Sequence, residues 1–169
     1  LDSLAVNNYY HFKSNRDVIP SAAIYLGILE PRFALLKQAG IDPATIKTWD
    51  ALRDAAKKLT VVKDGRTETW GLGIPLAPIK TESTPMLIGM LDGKQPLFNA
   101  CKASYATDLG VKALTYTQSL IDDAKVTPRE ALVNNVDDVT DQFVAGRYAI
   151  AISSNLRFSV IAKNAKFGG

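Results

Sequence analysis

The sequence predicts an α/β domain with helices packed on both faces of a central sheet. Short apolar runs typical of buried strands alternate with longer amphipathic runs that begin at helix-capping residues. Strands that are apolar throughout are buried on both faces, which requires helices on each side of the sheet. Ligands of such folds bind beyond the carboxyl ends of the strands. The segments that follow two predicted strands, 73–84 and 153–157, are therefore the surfaces where we expect a ligand.

The composition is that of an ordinary globular domain. The chain has 169 residues, of which 47% are hydrophobic, and a net charge of +3 from 20 basic and 17 acidic side chains. The basic residues are dispersed instead of forming a stripe with aromatic residues, so nucleic-acid binding is not expected. Cys101 is the single cysteine, which excludes an internal disulfide. The sequence lacks an apolar run long enough to span a membrane, and its N-terminus lacks the layout of a signal peptide.

The first third of the chain predicts an arm, a strand and two helices. Residues 1–17 are polar and aperiodic, which indicates an irregular arm, and the apolar residues 18–29 predict a buried strand. A helix should then end at Gly40, which can adopt a left-handed conformation. Thr48 is placed to cap the next helix. The core-facing stripe of that helix is formed by Trp49, Leu52, Ala56 and Leu59.

The middle of the chain predicts one strand between two further helices. Residues 63–66 form a polar turn, and residues 70–76 predict a short buried strand whose glycines permit a close backbone approach. A helix is expected at 85–91. Thr107 can cap a longer helix. The apolar side of this helix is predicted to include Val111, Leu114, Leu120 and Ile121.

The clearest helix-to-strand unit lies near the C-terminus. Asn135 can cap a helix over 136–145, and Gly146 can end it. Residues 148–152 are apolar and include two β-branched isoleucines, as is typical of a buried strand. Residues 153–155 should form the turn that leads from this strand into a last helix.

Four strings carry a resemblance to a known family. They are KQAGID and TWDAL around the first two helices, WGLGIP in a strand, and FVAGRYAIAI where a helix passes into a strand. Their order and spacing resemble the family 1 extracellular solute-binding proteins of ABC importers, over residues 18–167. That family includes maltose-, oligosaccharide- and glycerol-3-phosphate-binding proteins.

The resemblance implies a receptor of two lobes with the periplasmic-binding-protein type II fold, which closes on its solute. Residues 18–169 correspond to part of the second lobe, so we expect a partial receptor whose partner lobe is absent. The intact receptor would deliver a sugar or related polar solute to an ABC permease. It would lie in the periplasm or be anchored outside the cell by lipid, with its export signal upstream of this chain.

Two positions depart from the family pattern. Residues 30–32 (Glu-Pro-Arg) stand where many members carry an aromatic-polar pair, and Leu156 stands where many place a tryptophan beneath a sugar ring. The serine-rich segment 153–155 instead favours the glycerol-3-phosphate-binding branch. The implied solute is therefore a carbohydrate or a glycerol phosphate.

The candidate ligand-binding residues are polar groups near the predicted strand ends and a tyrosine on the presumed hinge strand. They are Tyr25, Lys80, Glu82, Ser83, Ser153, Ser154, Asn155 and Arg157. The 153–155 segment offers donors at a helix start, and Arg157 can form a forked contact with an anion. The alternatives are that one residue of the segment merely caps the helix, that Arg157 is a surface charge, and that Tyr25 is a core residue.

Motifs for catalysis or metal binding are missing from the sequence. His11 is the single histidine and has no recognisable nucleophile motif, and the acidic residues near 137–141 lack the glycine and glutamate of an EF-hand loop. We therefore expect a binding protein that is not an enzyme and that needs neither cofactor nor metal. The alternative is a protein-interaction or structural domain that keeps this scaffold without transport.

Overall fold

A computed structural model of the chain describes residues 22–26, 35–46, 48–77, 98–99, 102–103, 106–154 and 157–164. The strands are β1 (Ala22–Leu26), β2 (Val61–Lys63), β3 (Arg66–Gly73), β4 (Phe98–Asn99), β5 (Lys102–Ala103) and β6 (Tyr148–Ser154). The helices are α1 (Trp49–Leu59), α2 (Asp108–Asp122), α3 (Val136–Val144) and α4 (Phe158–Asn164). Short 3₁₀ helices lie at Pro43–Thr45 and Arg129–Leu132, and residues 35–38 are helical.

The central sheet has the strand order β1–β6–β3–β2. Strands β3 and β6 run parallel, with Leu72 opposite Ile150, whereas β1 pairs antiparallel with β6 and β2 pairs antiparallel with β3. The predicted α/β class is confirmed. Because β3 and β6 are parallel, their carboxyl ends lie at the same edge of the sheet.

Helices cover the sheet in two apolar clusters. The first joins residues of α1 and α2 to Leu72, Ile150 and Ile152. The second joins α3 and α4 to Tyr148 and Ala151. Strand β6 contributes to both clusters, as expected for a central strand with helices on each face.

Capping residues set the helix starts as the sequence predicts. The Thr48 hydroxyl accepts a hydrogen bond from the Ala51 amide at 3.1 Å, and Leu52 and Leu59 are buried beneath α1. Asn135 begins α3 with a reciprocal capping box. The Asn135 side chain accepts a hydrogen bond from the Asp138 amide, and the Asp138 carboxylate accepts one from the Asn135 amide. These local bonds fix where each helix starts before any packing is considered.

Strand β3 lies directly against the backbone of α1 at Gly71. A Cβ atom at Gly71 would lie 1.9 Å from the carbonyl oxygen of Ala56. The Thr60 hydroxyl joins the same two elements, since it accepts from the Gly71 amide at 3.1 Å and donates to the Ala56 carbonyl at 2.9 Å. The close approach that the glycines of this strand predict is therefore made by a helix of the same domain.

Tyr116 of α2 fastens that helix to the start of α1. Its hydroxyl donates to the Trp49 carbonyl, its ring meets the Trp49 ring edge-on at 6.0 Å, and the Arg53 guanidinium lies 5.7 Å from its centroid. Burial raises the pKa of the Tyr116 hydroxyl well above its ordinary value of 10.0, although the Arg53 charge opposes the shift.

Two predictions about the elements need correction, and one element was not predicted. Strand β3 begins at Arg66 instead of residue 70, because the Asp64-Gly65 pair adopts positive φ angles and joins β2 and β3 in a tight hairpin. Val111 and Leu114 are 61% and 57% exposed, because α2 turns toward the core the side that carries Ala113 together with the correctly predicted Leu120. The β4–β5 hairpin was not predicted.

Some predicted elements lie outside the described residues, namely the arm over 1–17 and the helix over 85–91. The first strand, predicted over 18–29, is described as β1. Within the described part of the chain, none of the helices is long and apolar enough to cross a membrane.

Replacing Gly71 with alanine should destabilise the full native protein by about 3 kcal/mol or more, because the added methyl group forces β3 away from α1. Gly65 is the matched control, since its φ is +72° but nothing lies within 4 Å of an added Cβ. Gly65→Ala should cost only about 1–2 kcal/mol through backbone strain. Urea denaturation measures both variants, and equal losses would contradict the close contact.

The raised pKa of Tyr116 predicts a stability loss at high pH. The folded state keeps the hydroxyl proton above pH 10, where the unfolded state loses it, so stability is unaffected at pH 8 and falls as the pH rises beyond 10. Tyr116→Phe should cost about 1 kcal/mol at pH 8 through the lost hydrogen bond. Between pH 8 and pH 11 the wild type should lose about 1.4 kcal/mol relative to the variant, so that the variant becomes slightly the more stable of the two at pH 11. Urea titrations at both pH values measure it, and an unchanged difference would contradict the assigned burial.

Candidate functional site

The carboxyl ends of β3 and β6 form one edge of the sheet, and most of the candidate residues are near it in sequence. Gly73 ends β3 and lies opposite Ala151, which in turn lies opposite Tyr25 of β1. Strand β6 continues beyond this row to Ser154. We call this surface the carboxyl edge, meaning residues 73–77, 151–154 and 157.

Ser153 and Ser154 belong to a strand, which corrects the predicted turn over 153–155. They pair with Ala23 and Ala22 of β1, so antiparallel pairing extends β6 by two residues beyond the predicted end at Ile152. The sequence predicts the first strand only as part of residues 18–29, which does not fix its register, so this pairing could not be predicted. The two serines thus project the chain past the last β3–β6 pair, toward the carboxyl edge.

Four other candidates lie outside the described residues: Lys80, Glu82, Ser83 and Asn155. The first three follow shortly after Ala77, the last described residue beyond β3. Tyr25 lies on β1 in register with Ala151, two residues before Ser153 in β6. The ligand contacts of all these residues stay predictions.

Arg157 forms an ion pair inside the domain. Its Nη2 lies 2.6 Å from Oδ1 of Asp137, in the first turn of α3, and the two side chains are 33% and 61% exposed. The Nε atom of Arg157 is buried without a partner among the described residues. A ligand anion at Arg157 would therefore compete with a carboxylate that already holds part of the guanidinium.

A segment that the sequence did not single out holds the residues after β3 in place. We call residues 126–134 the strap. Its carbonyls at Val126, Ala131 and Asn134 accept hydrogen bonds from the amides of Leu72, Leu76 and Ala77, at 3.0, 3.1 and 3.1 Å. The Thr127 hydroxyl donates to the Leu72 carbonyl at 2.9 Å. The strap thus holds the end of β3 and the residues that follow it through backbone and hydroxyl hydrogen bonds.

The strap explains why the predicted strand 70–76 ends early. Ile74 and the residues after it leave the sheet, and the amides of Leu76 and Ala77 bond the strap instead of a strand. Thr127 and Asn134 are buried polar residues of the strap, and buried polar groups need hydrogen-bond partners. Their partners could not be identified without the fold.

The ring of Tyr148 is buried beside the end of β3. Its ring fills the space beside Gly73, where a Cβ atom would lie 2.6 Å from a ring carbon. Burial raises the pKa of the Tyr148 hydroxyl, which has no hydrogen-bond partner among the described residues. Tyr148 and Asn134 are both buried, and both lie close to the strap-bound segment.

Within the described residues, no three His, Cys, Asp or Glu side chains are grouped so that they could hold an ion. Asp137 and Asp138 serve α3 instead, as first-turn acids and as part of its capping box.

Comparisons with known proteins agree with the fold. The family model described as bacterial extracellular solute-binding protein matches residues 15–169. A comparison with curated proteins found no match. Several solved structures of ABC-transporter binding proteins match the chain.

A solute-binding protein from Thermotoga lettingae TMO, bound with alpha-D-tagatose, is 29% identical with a TM-score of 0.64, over 83% of this chain and 34% of that chain. A substrate-binding protein from Listeria monocytogenes, in complex with cycloalternan, is 25% identical with a TM-score of 0.63, over 87% of this chain and 34% of that one. A solute-binding protein from Agrobacterium vitis S4, with bound D-mannitol, is 22% identical with a TM-score of 0.70, over 86% of this chain and 34% of that one. This chain therefore spans about a third of the length of these proteins.

A double-mutant cycle tests the Arg157–Asp137 pair. Arg157→Gln and Asp137→Asn in the full native protein should show a coupling of about 0.5–1 kcal/mol, reduced in 1 M salt, because both side chains are partly exposed. The Arg129–Asp122 pair is the control, since its arginine is 78% exposed at a similar separation of 3.0 Å. We expect a smaller coupling there. Absent coupling at Arg157 would mean that its guanidinium is available to an anion.

Proposed function

Because this chain belongs to the bacterial extracellular solute-binding proteins, we propose that it forms a solute-contacting lobe of an ABC-importer receptor for an uncharged sugar or polyol. The observation that carries the proposal is its 29% identity, over 83% of the chain, to a binding protein whose structure contains alpha-D-tagatose. The Listeria protein in complex with cycloalternan, at 25% identity, supports the same class of ligand. The fold supplies the surface where such a ligand would bind.

The proposed binding surface is the carboxyl edge. Parallel strands of an open α/β sheet end there, and ligands of such sheets bind in the crevice beyond these ends. Ser153 and Ser154 extend β6 toward this crevice, and hydroxyl groups both donate to and accept from sugar hydroxyls. Lys80, Glu82 and Ser83 follow the strap-bound segment and would line the other side.

The charges near Arg157 favour an uncharged ligand over a glycerol phosphate. An arginine binds a phosphate best when it is free to form two parallel bonds, whereas Arg157 already bonds Asp137 at 2.6 Å. Asp137 and Asp138 also place two carboxylates in the first turn of α3. An anion close to these carboxylates would be repelled, while a sugar hydroxyl would not.

The mechanism we propose is closure of two lobes around the solute. A ligand that contacts both lobes binds the closed form more tightly than the open form, and so shifts the population toward closure. The closed receptor would then be recognised by an ABC permease, outside the cytoplasmic membrane. In this scheme the lobe acts by hydrogen bonding and shape, without chemical change of the solute.

Thermal unfolding of the full native protein tests the proposal. D-tagatose, D-mannitol and a short glucose oligosaccharide, each titrated into the protein, should include a ligand that raises the midpoint. A true ligand at 100 times its dissociation constant adds about 2.7 kcal/mol of stability. Glycerol 3-phosphate belongs in the same panel, because a response to it alone would contradict the preference for an uncharged solute.

Two serine variants show whether the carboxyl edge is used. Ser153→Ala should weaken sugar binding about tenfold, as expected when a ligand hydroxyl loses its partner in a closed cleft. Ser119→Ala is the matched control, because the Ser119 hydroxyl donates to the Tyr116 carbonyl within α2. Calorimetric titration measures both. Equal affinities for the two variants would contradict the assigned surface, and no binding by the wild-type protein to any sugar or polyol would contradict the function.

A further inference from the structure

Two consecutive aliphatic side chains of the strap, Leu132 and Val133, are exposed to solvent. Leu132 is 50% exposed and Val133 is 72% exposed, whereas Ala131 before them is 0% and Asn134 after them is 8% exposed. The chain is therefore buried on either side and turns outward for these two residues, which we call the apolar rim. Single exposed aliphatic residues are common on protein surfaces, so the position of this pair, more than its exposure, needs an explanation.

Backbone hydrogen bonds place the apolar rim at the carboxyl edge. The Ala131 carbonyl accepts a bond from the Leu76 amide at 3.1 Å, and the Asn134 carbonyl accepts one from the Ala77 amide at 3.1 Å. The rim is the pair of residues that lies between these two carbonyls in the chain. It therefore lies beside the residues that follow β3, where this sheet offers its ligand surface.

The backbone of the apolar rim is also fixed from within the strap. The Val133 amide donates to the Glu130 carbonyl at 3.0 Å, at the end of the 3₁₀ helix Arg129–Leu132. The Asn134 amide donates to the same carbonyl at 3.1 Å. The rim is thus held by bonds on both sides before a ligand arrives, and groups that are already fixed lose little entropy on binding.

The chemistry of the apolar rim fits the carbon-bound face of an uncharged solute. Small-molecule sites are lined mostly by apolar side chains, with a few polar groups that fix the orientation of the ligand. A sugar or polyol presents C–H groups as well as hydroxyls, and it is favourable to remove aliphatic surface from water against these C–H groups. Neither rim residue carries a charge or a side-chain donor, so the rim offers nothing to an anion.

We propose that Leu132 and Val133 are solute-contacting residues, which pack against the carbon-bound face of the sugar or polyol at the carboxyl edge. This inference rests on the proposed function, because it names a contact within the same site. The candidate residues predicted from the sequence are mainly polar, so the rim supplies the apolar contact that they lack. Polar groups then fix the orientation of the solute, and the rim adds affinity for its carbon skeleton.

Leu132→Ala and Val133→Ala in the full native protein remove the contact without adding a group that bonds a sugar hydroxyl. The probe is the member of the panel of D-tagatose, D-mannitol and a short glucose oligosaccharide that binds the wild type most tightly. Calorimetric titration should show binding about fivefold weaker in each variant, with a less negative heat capacity of binding. Both side chains are exposed without solute, so the urea midpoint of the free protein should stay close to that of the wild type.

Leu114→Ala and Val111→Ala are the matched controls. They remove the same atoms from side chains of α2 that are 57% and 61% exposed and do not belong to the strap. Both controls should bind the probe as tightly as the wild type does. Binding weakened equally by the controls and the rim variants would overturn the inference, because the loss would then not depend on the carboxyl edge.

The remaining outcomes separate this inference from the proposed function. If the wild type binds a member of the panel and the rim variants bind it equally well, the inference is overturned and the proposed function stands. Small-angle X-ray scattering of the saturated protein should give the same radius for the wild type and the rim variants. A larger radius in the variants would mean that the rim meets the other lobe instead of the solute, which also overturns the inference. If the wild type binds no sugar or polyol, the proposed function fails and the inference with it.

Discussion

The parallel pairing of β3 with β6 is the constraint on which the rest of the structure depends. It places Leu72 opposite Ile150 and Gly73 opposite Ala151, so that both strands end at one edge. Helices α1 and α3 pack on these two strands, and the apolar clusters on the sheet share β6. A shift of one residue in this pairing would turn the core side chains to the wrong faces and separate the two strand ends.

Backbone contacts, more than side-chain chemistry, shape this edge. Gly71 lets α1 lie directly on β3, and hydrogen bonds to the strap hold the residues that follow β3. The hydroxyl of Thr60 accepts a hydrogen bond from the Gly71 amide of β3, and the hydroxyl of Thr127 donates one to the Leu72 carbonyl. A rigid base of this kind suits a binding surface, since groups that are already fixed lose little entropy when a ligand arrives.

Local signals in the sequence predicted most of the described helices and the sheet class. Thr48, Thr107 and Asn135 cap helices through bonds that involve only a few neighbouring residues, so the sequence is enough to place them. The two exposed apolar residues of α2 were assigned to the wrong face, because periodicity alone does not say which side a partner covers. The family resemblance added what periodicity could not, and the match to the solute-binding family confirmed it.

The candidate site was harder to predict, since it depends on pairings between distant segments. The extension of β6 through Ser154 requires β1, and the strap contacts Ala77 across more than fifty residues of chain. The Arg157–Asp137 pair likewise joins the residue just before α4 to the first turn of α3, which no sequence pattern links. Only the fold brings such residues together, so no short sequence motif shows that they are neighbours.

A crystal structure of the full native protein, grown with the sugar that stabilises it most, tests the central claim directly. The account predicts that the sugar lies in a cleft at the carboxyl edge, within hydrogen-bonding distance of residues in 78–84 or 153–157. Density for the sugar on another face of the sheet, with this edge covered by protein, would contradict it.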